Sequence, residues 1–314
     1  MYWFYSATKP VTVSVAMSLV EKGLISLDDD VAKYIPEYAN LTVKDADGNV
    51  RPATKPMKIH HLFSMSSGLT YDFGNPLVRE GLDNNSTTLE VVRNFPKMPL
   101  AFEPGNEWCY GLSHDVLAAV VEVVTGKKYA DYVDEVVFKP LGMKDATFHM
   151  TDEQKCRMAQ KYDYRDEKVV PENGNIFVLS DVYECGGAGM CTTLDDYRKF
   201  ADMMACGESA DGYRLLSKES VDTLRENRFT DEQLRNYWKN NESGYGLGVY
   251  TLMNANDCGV PAGVFGWDGA AGAYLMVDVV NHISIVLCTH ITNWGAILQH
   301  ENVRDEAYKV IFNK

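Results

Sequence analysis

A serine and a lysine three residues apart, in Ser6-Ala7-Thr8-Lys9, open the first helical pattern of this chain. Positions i and i+3 of a helix project from the same face. The amine can therefore reach the hydroxyl, which is what activation of a serine nucleophile requires. A helix N-terminus adds positive potential at that spot, favouring an alkoxide-like serine and an unprotonated lysine. The spacing arises easily by chance, so its meaning depends on what else the chain supplies. Two further stretches are chemically loaded. Tyr110 ends the run Pro104-Gly105-Asn106-Glu107-Trp108-Cys109-Tyr110, just ahead of a helical pattern. Gly266-Trp267-Asp268-Gly269 ends a strand pattern and is followed by Ala270-Ala271-Gly272. Each has a plainer reading when taken singly. Trp108 and Tyr110 fit a helix start as core aromatics, and Asp-Gly is a common hairpin-turn pair.

The elements that must position these residues follow from periodicity. Residues 7–22 predict a helix that is apolar around most of its circumference, hence central and buried, with Pro10 in its first turn and Gly23 as its stop. Shorter helical patterns follow at 59–66, 129–138, 151–160, 193–206 and 217–226, and a strong amphipathic one at 113–124 stops at Gly126. Residues 40–57 carry the turn chemistry of a hairpin or loop, and the Gly, Asn and Asp of 70–86 predict a surface excursion. The last quarter changes to strand composition at 244–252, 263–267, 273–279 and 283–290, and a helix at 296–312 closes the chain. Helices in the middle and antiparallel strands at the end predict an α+β fold with a helical lobe, about 40–200, over a sheet, about 244–290. The expectation is one domain over 1–314.

Composition narrows the partners. With 314 residues, 46% hydrophobic and 24% charged, the chain is an ordinary globular protein with ample core. A net charge of −14 and a pI near 4.9 argue against nucleic acid and anionic membrane surfaces. Seven cysteines, without a Cys-x-x-Cys, predict free thiols in a reducing, cytoplasmic setting. No metal or cofactor is expected. His60-His61 is read as a surface pair, because adjacent side chains point in different directions. No apolar stretch reaches the length of a membrane span, and no signal peptide is recognised at the N-terminus.

Taken in order, the motifs resemble the serine β-lactamase-related superfamily: class C β-lactamases, D-Ala-D-Ala carboxypeptidases and family VIII-type esterases. That family carries Ser-x-x-Lys, then a tyrosine motif, then Lys-Thr-Gly or a variant. Other blocks are similar too, including Leu62-Phe63-Ser64-Met65-Ser66-Ser67-Gly68-Leu69, Pro140-Leu141-Gly142-Met143, Gly186-Gly187-Ala188-Gly189-Met190 and Tyr245-Gly246-Leu247-Gly248. The resemblance covers nearly the whole chain and implies the β-lactamase-like serine hydrolase fold. It also implies Ser6 as nucleophile, Lys9 as its activating partner and Tyr110 as general base and proton donor. The backbone N–H groups of Ser6 and Ala270 would form the oxyanion hole. Trp267, Asp268, Gly269 and Leu112 would contact the substrate.

The departures from the pattern are informative. Trp267 stands where the lactamases and carboxypeptidases place a lysine, and an aromatic beside an acid is ill suited to an anionic β-lactam or a peptide C-terminus. Leu112 replaces an asparagine that contacts substrate, with Ser113 one position on. Both point to ester-type substrates hydrolysed through an acyl-enzyme. The rival readings are a β-lactamase or D-amino-acid peptidase/carboxypeptidase acting on amide or lactam substrates, and a non-catalytic ligand-binding member. Family members carry a longer segment ahead of the serine, with a helix and strands. Only Met1 to Tyr5 precede it here, so the expectation is either a start further upstream or the loss of those N-terminal strands, which would leave a sheet edge exposed.

Overall fold

The computed structural model describes residues 1–313 apart from 46, 73, 178–179 and 239–241. Ten α-helices fall among the described residues: α1 (Lys9–Glu21), α2 (Ile59–Phe63), α3 (Pro76–Asp83), α4 (Thr88–Val92), α5 (Ser113–Thr125), α6 (Tyr129–Val133), α7 (Asp152–Cys156), α8 (Leu194–Cys206), α9 (Lys218–Arg225) and α10 (His300–Phe312). Helix α1 is buried from Lys9 to Leu19, as an all-round apolar helix must be, and packs against α5 and α9. Thr193 caps α8 by accepting from the Asp196 N–H. Gly126 and Gly207 end α5 and α8 in the left-handed conformation.

Among the described residues the strands form one principal sheet and three small ones. The principal sheet is antiparallel in the order β11 (Ile283–Cys288), β10 (Ala273–Asp278), β9 (Phe265–Asp268), β8 (Tyr250–Leu252), β7 (Ser243–Tyr245). In its register Leu275 faces Trp267 on one side and Val286 on the other. All six residues of β10 are buried, and α8 packs across β10 and β11. The edge strand β11 is only half-buried at all six positions. Among the described residues it has no further strand beside it. The N-terminal pair β1 (Tyr2–Trp3) lies outside this sheet, bonded to β6 (Cys191–Thr192).

Several boundaries differ from the sequence expectation. The pattern at 244–252 divides into β7 and β8, because a turn with Gly248 at φ +91° intervenes. The helical pattern at 151–160 is realised only over α7, after which the chain forms the antiparallel pair β4 (Lys161–Arg165) and β5 (Lys168–Glu172). The closing helix begins at His300, preceded by a 3-10 turn at Trp294–Ala296. Among the described residues no helix is long and apolar enough to cross a membrane.

Candidate active site

Ser6 lies in a 3-10 turn, Tyr5–Thr8, that runs straight into α1. The turn is fastened from both sides. Trp3 N–H donates to His290 Nε2 at 3.2 Å and Phe4 N–H to Met190 O at 3.1 Å. Tyr5 has φ +46°, a left-handed conformation that is uncommon for a bulky residue and costs free energy. Its phenol is held by Lys161 Nζ at 3.0 Å, and Lys161 in turn pairs with Glu172 at 3.1 Å. The first backbone bond of the turn is Ala7 N–H to Phe4 O, so the Ser6 N–H before it has no intrahelical acceptor.

Lys9 is fully buried, one helical turn beyond Ser6. Its Nζ lies 3.2 Å from Ser6 Oγ, 3.2 Å from the Tyr71 hydroxyl and 2.7 Å from the carbonyl oxygen of Gly187. The Nζ also sits over the Tyr110 ring, 4.4 Å from its centroid. Burial pulls the lysine down to about 8, against the opposing pull of Cys185, Asp115 and Asp268. Tyr110 lies beside Ser6, and its hydroxyl accepts from Trp267 Nε1–H at 3.0 Å. Burial outweighs the influence of both neighbours and pushes the phenol well above its ordinary value.

Trp267 is buried at the end of β9, in an aromatic cluster with Trp108, Tyr245 and Tyr274. Trp238 stands edge-on to Tyr110 at 4.8 Å between centroids and is 57% exposed, so this wall reaches solvent. Beyond β9 the chain turns at residues 269–272, where Gly269 N–H donates to Ala273 O and Gly272 N–H to Gly269 O. A Cβ on Gly269 would fall 2.2 Å from the carbonyl oxygen of Phe4. Glycine is therefore required for this turn to lie against the nucleophile turn, with exposed Ala270 next in line.

The structure thus gathers Ser6, Lys9, Tyr110, Trp267 and Gly269 at one place, with Ala270 following Gly269 and half-buried Asp268 at the end of β9. Leu112 is a correction. Its side chain is fully buried in the main hydrophobic core at the start of α5, since an apolar residue ahead of a buried helix packs inward. Ser113 is buried as well, bonded to Ser67 Oγ at 2.8 Å. His60-His61 is not a surface pair: His61 is buried and caps α2 by accepting from the Lys58 N–H. Sequence reasoning missed Tyr71 and Gly187. Tyr71 lies in a polar stretch with no periodicity, and Gly187, although part of a glycine-rich block, bonds Lys9 through its carbonyl, a role that its place in the block does not reveal.

Comparison with known proteins agrees with this geometry. The family profile described as Beta-lactamase matches residues 1–308. The chain belongs to that family. It is a serine hydrolase by membership. An uncharacterized protein of Mycobacterium tuberculosis is 32% identical over 292 residues, covering 87% of this chain and 73% of its own length. Esterase EstB of Burkholderia gladioli is 30% identical over 316 residues, covering 91% of this chain and 76% of its own. Among solved structures, EstCE1, described as a hydrolase with promiscuous acyltransferase activity, superposes with a TM-score of 0.75 at 25% identity. That superposition covers 94% of this chain and 81% of EstCE1. The neighbours place this chain in the β-lactamase-like fold.

Proposed function

We propose that this protein is an esterase that works through an acyl-enzyme at Ser6, from one β-lactamase-related domain over 1–314. The observation that carries the reading is the set of partners around Lys9 Nζ. An ammonium has three protons to give and no lone pair. With a pKa near 8, Lys9 is unprotonated in a useful fraction of molecules at neutral pH. The amine then spends its two protons on Gly187 O and the Tyr71 hydroxyl and turns its lone pair to Ser6 Oγ.

Lys9 accordingly takes the serine proton as Oγ attacks the ester carbonyl carbon. The N–H groups of Ser6 and Ala270 receive the developing oxyanion, a contribution typically worth about 3 kcal/mol of barrier per donor. Tyr110, kept protonated by its burial, gives its proton to the departing alkoxide oxygen in place of acting as the general base. It recovers a proton from the lysine ammonium once the alcohol leaves, and water then releases the acid by the same steps.

The substrate class follows from the wall. Exposed Trp238 and half-buried Tyr110, backed by the buried Trp267, form an aromatic wall beside Ser6 that suits the acyl or alkoxy group of a neutral ester. The seven free thiols support the expected reducing, cytoplasmic compartment.

Labelling with a fluorophosphonate probe, followed by peptide mapping, is expected to modify Ser6 in the wild type and to fail in Ser6→Ala. Nitrophenyl esters are expected to be turned over much faster than a chromogenic cephalosporin. A folded wild type that does not label overturns the enzyme reading, and strong cephalosporin turnover with feeble ester cleavage overturns the esterase reading.

A further inference from the structure

Behind Lys9 lies a carboxylate that the reaction above does not use. Asp115 belongs to the first turn of α5 and is fully buried. Its Oδ1 accepts from the Tyr183 hydroxyl at 2.9 Å, and the Cys185 thiol sits beside the carboxyl group. Its Oδ2 is buried without a nitrogen or oxygen donor bonded to it among the described residues. That atom points at the bare Cα of Gly187. A Cβ built there would lie 3.1 Å from Asp115 Oδ2, 3.3 Å from Lys9 Nζ and 3.4 Å from the Tyr71 hydroxyl. The absent side chain of Gly187 is what allows the carboxylate and the amine to face each other.

We propose that Asp115 is a positioning residue for the Ser6–Lys9 pair, its carboxylate acting as the buried counter-charge that holds the lysine towards the serine and Tyr71. The proposal rests on the esterase reading for its catalytic meaning, but not for its geometry. A cation cut off from water needs a compensating charge. The groups that face Lys9 are Ser6 on its own turn, Tyr71, the Tyr110 ring, Cys185, His114 and Asp115 on α5, and Asp268 at the end of β9. Burial pushes the Cys185 thiol well up and His114 down to about 3, so neither carries charge at neutral pH. The two aspartates remain, and Asp115 is the one enclosed with the lysine in the core; burial raises its carboxyl too, against the opposing pull of Cys185, Tyr183 and Lys9, which favour the carboxylate.

Asp115→Asn keeps the size of the side chain and an acceptor for Tyr183 while removing the charge. The decisive measurement is the titration of Lys9 itself, followed by NMR of protein labelled with [ε-13C]lysine and assigned through Lys9→Arg. The midpoint is expected near 8 in the wild type and lower by about half a unit or more in Asp115→Asn. The acid limb of kcat/KM for a nitrophenyl ester should move the same way, with a plateau about tenfold lower. A folded Asp115→Asn protein whose Lys9 midpoint and acid limb are unmoved overturns the proposal, because a purely structural aspartate would change neither. If Asp115→Asn does not fold, Tyr183→Phe removes the bond to Oδ1 with the ring intact. A smaller downward shift there supports the proposal and none overturns it. Should the wild type neither label nor turn over ester, the esterase reading fails while the Lys9 midpoint still decides the role of Asp115.

Discussion

Lys9 is the residue on which the site makes the most specific demand, because its nitrogen must be both neutral and aimed. Burial supplies the first requirement, and the second comes from Gly187 O and the Tyr71 hydroxyl, which occupy two of its directions. Removing the Tyr71 hydroxyl frees the amine to rotate away from Ser6. Tyr71→Phe should therefore lower kcat by about tenfold, roughly the worth of one buried hydrogen bond that acts on the transition state, with KM little changed. Steady-state kinetics on a nitrophenyl ester check this, and a change confined to KM would assign Tyr71 to substrate binding. Trp267 acts on the other partner. Its Nε1–H is donated to the Tyr110 oxygen, and Trp267→Phe deletes that donor while keeping an aromatic ring in the cluster. The expected outcome is a several-fold loss in kcat with the fluorophosphonate labelling of Ser6 retained. Of these residues, Ser6, Lys9, Tyr110 and Trp267 were legible in the sequence because each is a distinctive side chain at a characteristic place. Tyr71 was not, since a tyrosine in an aperiodic polar stretch has no partner visible along the chain.

At the scale of elements, two pieces of the framework meet at a single close contact. The nucleophile turn before α1 and the turn after β9 are pressed together where Gly269 meets the Phe4 carbonyl. Gly269→Ala puts a methyl 2.2 Å from that oxygen, between two backbone segments that both have to stay in place. The turns must separate, which shifts the Ala270 N–H relative to Ser6. Misplacement of this kind costs about a hundredfold in rate, far more than its effect on stability suggests. We expect kcat to fall by about that factor while the thermal midpoint drops by only a few degrees. A variant that retains wild-type kcat would remove Ala270 from the oxyanion hole.

The same scale shows why part of the framework was hidden. Helix α1 and the strands β9 to β11 follow ordinary apolar patterning and were expected. Strand β4 inverts it: Lys161 and Asp163 are buried while Tyr162 is 37% exposed. The inversion arises because Lys161 points inward to hold Tyr5 and Glu172. A period-two pattern with charges on the inner face cannot be recognised without knowing those partners. Strand β1 was hidden for a different reason. Two residues set no period, and their pairing to β6 joins parts of the chain that are far apart in sequence.

For the molecule as a whole, the buried histidines make stability depend on pH with a definite sign. Burial depresses His61 and His114 to about 3, from an ordinary value of 6.5. His61 accepts the Lys58 N–H through Nδ1, and protonating that nitrogen breaks the cap of α2. The Nδ1 of His114 is buried without a partner among the described residues, so a proton there places a second cation in the core beside Lys9. In both cases the native state binds fewer protons than the unfolded chain below pH 6.5. Stability is therefore complete above about 6.5 and is lost as the pH falls towards 3. The loss is on the order of 5 kcal/mol for each histidine at full protonation. An opposing effect exists, because acid also relieves the self-repulsion of a chain with net charge −14. That charge is spread over the surface and screened within about 8 Å at physiological salt, whereas the two imidazoles are buried, so the histidines should dominate. Urea unfolding in 0.15 M salt should give a free energy that is flat above pH 6.5 and falls steeply by pH 4.5. His114→Gln, which keeps an amide donor for the Phe63 carbonyl and cannot be charged, should reduce that slope by about one proton. A wild type equally stable at pH 6.5 and 4.5, or a variant with the wild-type slope, would show that His114 is not the buried neutral group described here.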